Sequence, residues 1–231
     1  LLKLLPGGSC ESYQMAACVR AALLGLTSTE AQGRLCELVL ESESTDLEAI
    51  AVEAGFAPTE ESERALFFFL TAQGERYEEL DPDHSLLHEA REESGDLYRE
   101  RITRVALTGD YPEILRRADA GVARILIEEL ESENEEASSA ARAALESLEN
   151  QEGIDALCEE WERSEEQVLR DIIVAAGCVA SGPASLRLLT GVLTASHSVT
   201  AEYGKEGVDE LLKLLPGGSC ESYQMAACVR A

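Results

Sequence analysis

Twenty-one residues, LLKLLPGGSCESYQMAACVRA, occupy positions 1–21 and recur letter for letter at positions 211–231. The chain therefore spans one period of 210 residues and the opening of the next. No other feature constrains the fold as much, because a repeating sequence buries its apolar surface between neighbouring units and needs no single central core. The two copies agree even at Ser9, Glu11 and Gln14, polar positions free to drift. The expectation is a very recent duplication, or an engineered or excised chain.

A second repeat lies inside the first. Moving the sequence by 122 positions without a gap lays residues 20–55 on residues 142–177, with 16 of 36 positions identical. Average residue usage would give roughly two or three. The identities include Arg20 with Arg142, Leu23 with Leu145, Leu35 with Leu157, Cys36 with Cys158 and Gly55 with Gly177. Most are apolar or small, as the same packing problem solved twice requires. The expected organisation is a first unit over 1–122 with an insertion around 76–118, a second over 123–210, and 211–231 as the start of a next unit or a C-terminal cap.

Nearly every segment carries apolar residues at helical spacing, broken by Gly, Pro, Ser or Asn, and strand signals are scarce. A helix is predicted from about Cys10 to Leu26 with a stripe of Met15, Cys18, Val19, Ala22 and Leu23. Thr27 or Ser28 caps the next helix, with Glu30 in the first turn where the helix dipole favours an acid. Gly55 is a left-handed stop. Four consecutive large residues, Phe67–Leu70, cannot share one stripe, so their helix is predicted to be covered on more than one side.

The residues EEASSAARAALESL, with Arg142, Ala143, Ala144, Leu145 and Leu148, together with the matching Arg20, Ala21, Ala22, Leu23 and Leu26, resemble the second helix of a HEAT repeat. The resemblance to HEAT and armadillo-like repeat proteins, bacterial HEAT-like arrays among them, implies an all-α chain, a right-handed α-solenoid (an α-α superhelix) of antiparallel helix pairs. It further implies scaffolding by protein contact and no reaction. The competing expectation is an enzyme of the chromophore-lyase type, which some HEAT-like proteins resemble, holding a tetrapyrrole in a concave groove beside His, Arg or Tyr side chains.

Charge narrows the partners. The chain has 45 acidic against 19 Lys and Arg residues, a formal net charge of −26. Such a field repels phosphate backbones and anionic membrane surfaces, so neither nucleic acid nor membrane is expected as a partner. It leaves a solvated surface or a basic protein partner. The seven cysteines form no CxxC pair, and with no signal peptide and no apolar run near 18 residues the expected location is the reducing cytoplasm.

Candidate chemistry is thin. His84 and His88, with Asp81, Asp83 and Glu89 nearby, are the one pair at metal-ligand spacing, but no third His or suitably spaced Cys accompanies them, so no metal and no cofactor are expected. Cys178 is the one thiol singled out for reactivity, with packing as the alternative because Phe56 takes its place in the first unit. Trp161, standing where Val39 stands in the first unit, is read as packing. No phosphate-binding glycine loop is present. The expectation is a non-catalytic scaffold. A further expectation is self-association, in which the C-terminal copy, through Leu211, Leu214, Leu215, Tyr223, Met225, Cys228 and Val229, takes the place of the N-terminal copy of a second molecule in a head-to-tail assembly.

Overall fold

A computed structural model describes residues 10–202, with the side chains of all of these except 10–14 and 200. The described residues are all-α, fourteen helices with no strand among them. They pack as two compact units that divide between Val105 and Ala106. None of the helices is long and apolar enough to cross a membrane. Leu211, Leu214, Leu215, Tyr223, Met225, Cys228 and Val229 lie outside the described residues, as do the two copies of the terminal segment apart from the helix that starts at Cys10.

The helices of unit 1 are α1 (Cys10–Leu24), α2 (Thr29–Ser42), α3 (Thr45–Glu53), α4 (Glu61–Leu70), α5 (Gly74–Leu80) and α6 (Ser85–Ser94), with α7 (Arg99–Thr108) crossing the division. Several boundaries have a local cause. Ser28 accepts a hydrogen bond from the Ala31 N–H and starts α2, and Ser44 accepts from Leu47 N–H and starts α3. Gly55, at φ +70°, turns the chain after α3 at a backbone angle that side chains with a Cβ resist. Asp81, 1% exposed, accepts the Leu86 and Leu87 N–H groups at 3.0 and 2.8 Å and so satisfies the first turn of α6.

Unit 2 contains α8 (Pro112–Arg116), α9 (Ala120–Glu129), α10 (Glu135–Glu146), α11 (Gln151–Ser164), α12 (Gln167–Ala176), α13 (Ala184–Leu193) and α14 (His197–Glu202). The 122-residue shift carries both ends of α2 onto the ends of α11, and the start of α3 onto the start of α12. After Gly177 the connecting loop is one residue longer, so α4 maps onto α13 with a shift of 123. Contacts repeat with the helices: α1 with α3, α2 with α3, α2 with α4 and α4 with α5 in unit 1, and α10 with α12, α11 with α12, α11 with α13 and α13 with α14 in unit 2. The same arrangement of five helices is thus built twice. Helix α6 packs on α4, and α9 packs on both α10 and α11.

Burial follows the alignment. Leu23 and Leu145 are 6% and 0% exposed, Leu35 and Leu157 3% and 0%, and Cys36 and Cys158 both 0%. The run Ala65–Leu70 is buried throughout, as a helix covered on several sides must be. The expected stripe on α1 is narrower than predicted. Val19 and Leu23 are buried, but Met15 is 48% exposed, and Cys18 and Ala22 are exposed too. Trp161 is only half-buried where Val39 is 1% exposed.

Two equivalent sites exchange volume. In unit 1 Ala51 stands beside Phe56, tied by a backbone hydrogen bond from Phe56 N–H to the Ala51 carbonyl at 3.0 Å; in unit 2 the same bond joins Cys178 to Ile173 at 3.1 Å. All four residues are buried, and the small and the large member have changed places. Further along, the Arg76 guanidinium lies 4.0 Å over the Phe68 ring, and at the equivalent sites Val199 presses against Gly191.

Candidate functional site

Each unit has an open groove of ligand size. The groove of unit 1 measures about 320 Å³ and is formed where α6 and the turn that follows it pack beside α2 and α4. Its base is apolar: Leu40 from α2, Leu66 from α4, Ala90 from α6, and Pro58 from the loop before α4, all buried. Leu97, 69% exposed, and half-buried Tyr98 form one side. Exposed carboxylates of Glu37, Glu41, Glu63 and Glu93 form the rim.

These acids are unevenly neutralised. The Arg34 guanidinium donates to Glu37 at 2.6 Å and reaches Glu41 at 3.3 Å. Glu63 is surrounded by its own kind: partial burial, then the charges of Glu60, Glu37 and Glu93, push its carboxyl above the usual range. The Tyr98 phenol is pushed up by burial and by Glu41 and Glu63, against the smaller opposing effect of Arg101. Arg101 itself donates to the Leu40 carbonyl at 2.8 Å and fixes the start of α7 to the end of α2.

The groove of unit 2, about 660 Å³, lies between the end of α9, the outer side of α10, and the turn from α11 to α12. Ile127, Leu130 and Val168 give it apolar surface, and Glu128, Glu131, Glu135, Glu160 and Glu166 give it acid. Both arginines there are engaged by glutamates: Arg142 donates to Glu146 at 2.9 Å, and Arg163 to Glu160 at 3.0 Å. Solvent-exposed pairs of this kind contribute about 0–1 kcal/mol, so they are easily exchanged for a ligand's charges. Of the His, Arg or Tyr side chains expected beside a tetrapyrrole, the unit 2 groove has Arg142 and Arg163 and the unit 1 groove has Tyr98.

The structure separates the candidate metal pair. His84 is not on α6 but precedes it with left-handed backbone, φ +61°. Its Nδ1 lies 2.7 Å from the Tyr77 hydroxyl, and the two rings stack at 5.7 Å. His88 is exposed on the helix and faces Glu92 at 3.4 Å. Among the described residues no three His, Cys, Asp or Glu side chains are grouped as metal ligands.

Cys178 is 4% exposed, and burial pushes its thiol up. Burial likewise pushes Cys158 up to about 12 and Cys36 up to about 11. Thiols held protonated in this way are poor nucleophiles. Asp155 has the opposite character. Burial opposes its ionisation, but the Ser181 hydroxyl and backbone N–H and the Gln151 amide donate to it, and they hold its carboxyl below the usual range.

The unit 1 groove was not legible in the sequence, because its walls come from segments as far apart as Glu37 and Tyr98. One signal was present: Leu97 follows Gly95-Asp96, where a turn needs no apolar residue. Comparison with protein-family models, with curated proteins and with solved structures gives no match to this chain.

Proposed function

We propose that the chain is a non-catalytic protein-interaction scaffold, a HEAT-like right-handed solenoid of antiparallel helix pairs that holds a basic partner in its acid-rimmed grooves. The observation that carries this reading is the five-helix arrangement built twice, with an open groove in each unit, at a different place in the two, that combines apolar surface and carboxylates. Repeated units that contact only their neighbours extend a surface along the chain, which suits holding a partner better than enclosing a reaction. The net charge of −26 adds long-range attraction for a cationic partner.

The test is comparative capture from cell extract. The wild-type chain is expected to retain proteins that are lost when Glu37, Glu63, Glu131 and Glu135 are changed together to Lys, with both forms shown to be folded by circular dichroism. Equal retention by the two forms would remove the groove from the account.

A second reading, head-to-tail self-assembly, is favoured by the α1 face. Ala144 on α10 is 5% exposed in a unit where α9 packs on that helix, whereas its equivalent Ala22 on α1 is exposed beside Met15 and Cys18. By the repeat, Leu211 and Leu214 correspond to Ala123 and Leu126, two of the three buried residues of α9. The C-terminal copy of a second molecule therefore has the sequence to dock on α1 as α9 docks on α10.

A further inference from the structure

We propose that the groove of unit 1 is a docking site for a short amphipathic segment of another protein that places an arginine or lysine among leucine-like side chains. This rests on the reading of the chain as an interaction scaffold and deepens it. The groove is first an apolar feature: Leu40, Leu66, Pro58 and Ala90 form its base, and Leu97, 69% exposed, extends the same surface into solvent. A large apolar side chain held out on a turn between two helices gains stability only when something covers it. The volume, about 320 Å³, is at the small end of ligand clefts, about 300–1,000 Å³, and suits a few side chains better than a bulky cofactor.

Charge then selects the occupant. Glu63 and Glu93 face the groove with no ion pair among the described residues, and the charges of Glu60, Glu37 and Glu93 act on Glu63. A neutral or acidic segment would leave that repulsion in place. A cationic side chain removes it, and the long aliphatic stems of Arg and Lys lie well on an apolar base while the charged head reaches the rim. Helix α6 supplies Glu93 and Ala90, and every residue that lines the site lies in unit 1.

The experiment uses the full chain and a fluorescein-labelled synthetic helical peptide with a leucine stripe flanked by two arginines. A second peptide carries glutamine in place of arginine. Fluorescence anisotropy is expected to show binding of the arginine peptide that weakens with salt, and binding of the glutamine peptide at least about tenfold weaker. Glu63→Gln with Glu93→Gln, and separately Leu97→Ser, are expected to weaken the arginine peptide by about tenfold or more. The pair Glu131→Gln with Glu135→Gln, which removes as much charge from the other groove, should leave it unchanged. All these positions are exposed or on the groove rim, and circular dichroism checks that each variant is folded.

Equal loss in both charge-removing pairs would reduce the effect to the general acidity of the chain and overturn the site. Tighter, groove-dependent binding of a synthetic LLKLLPGGSC peptide would give the groove to a second copy of this chain and overturn the foreign partner. Failure of the arginine peptide to bind a chain that still captures partners would overturn this docking site and leave the scaffold reading standing. Failure of both would remove the scaffold reading as well.

Discussion

Two glycines in equivalent helices have opposite roles. A Cβ added to Gly153 in α11 would sit 2.4 Å from the Ala118 carbonyl oxygen, and a backbone atom cannot move aside as a side-chain tip can. Gly33 in α2 has no atom within 4 Å of the place where its Cβ would be. Gly153→Ala is therefore expected to destabilise by about 1–3 kcal/mol through overpacking. Gly33→Ala should stabilise by about 0.5–1 kcal/mol, because alanine loses less backbone entropy in a helix. Urea unfolding of both variants checks the contrast, and a loss at Gly33 would contradict it.

Asp155 sets a pH response at the same scale. Its folded carboxyl titrates below the usual range because the bonds from Ser181 and Gln151 outweigh the burial that opposes ionisation. A carboxyl lowered by folding stabilises above its unfolded value, about 4, and that contribution disappears as pH falls through the lower folded value. Asp155→Asn should accordingly be less stable than wild type at neutral pH, and the gap between them should narrow as pH drops below about 4. Urea midpoints measured across that range provide the check; a gap constant with pH would refute the ionic role.

Among elements, the helices and their order were readable because their causes are local. Ser28 caps α2, Glu30 sits in its first turn, and Gly55 takes positive φ after α3, each a short-range signal. The repeat made burial readable too, since Leu145, Leu157 and Cys158 had partners to be compared with. What stayed hidden was set by tertiary neighbours. Periodicity put Met15, Cys18 and Ala22 on the inner stripe of α1, but a stripe is buried only where another helix lies over it, and they are exposed. His84 and His88 show the same limit: spacing placed both on one helix, whereas the fold holds His84 against Tyr77 before the helix begins.

The exchange between Ala51 with Phe56 and Ile173 with Cys178 gives an element-scale prediction. Ala51→Ile alone should cost about 1–3 kcal/mol by overpacking, and Phe56→Cys alone about 2–5 kcal/mol by leaving space. The double variant Ala51→Ile with Phe56→Cys copies the arrangement of unit 2 and should cost less than the sum by more than about 0.5 kcal/mol. A double-mutant cycle in urea measures this coupling. Strict additivity would mean that the two sites do not share the volume.

At the scale of the whole chain, the head-to-tail reading predicts that association depends on residues 211–231. Light scattering should show concentration-dependent species larger than a monomer for the full chain and a monomer for a chain ending at Glu210. Monomers in both, well above micromolar concentration, would end that reading. The two internal copies have a separate consequence. Residues 29–53 and 151–175 have equal length, matching helices and matching contacts to the helix before and the helix after them, with α9 as a further neighbour of α11. A crossover between the gene segments for the two copies, in register with the protein repeat, would join one copy to the other at matching points of the fold. The product gains or loses a complete folding unit, with no helix cut. Such a crossover would lengthen or shorten the chain by 122 residues, the spacing of the copies.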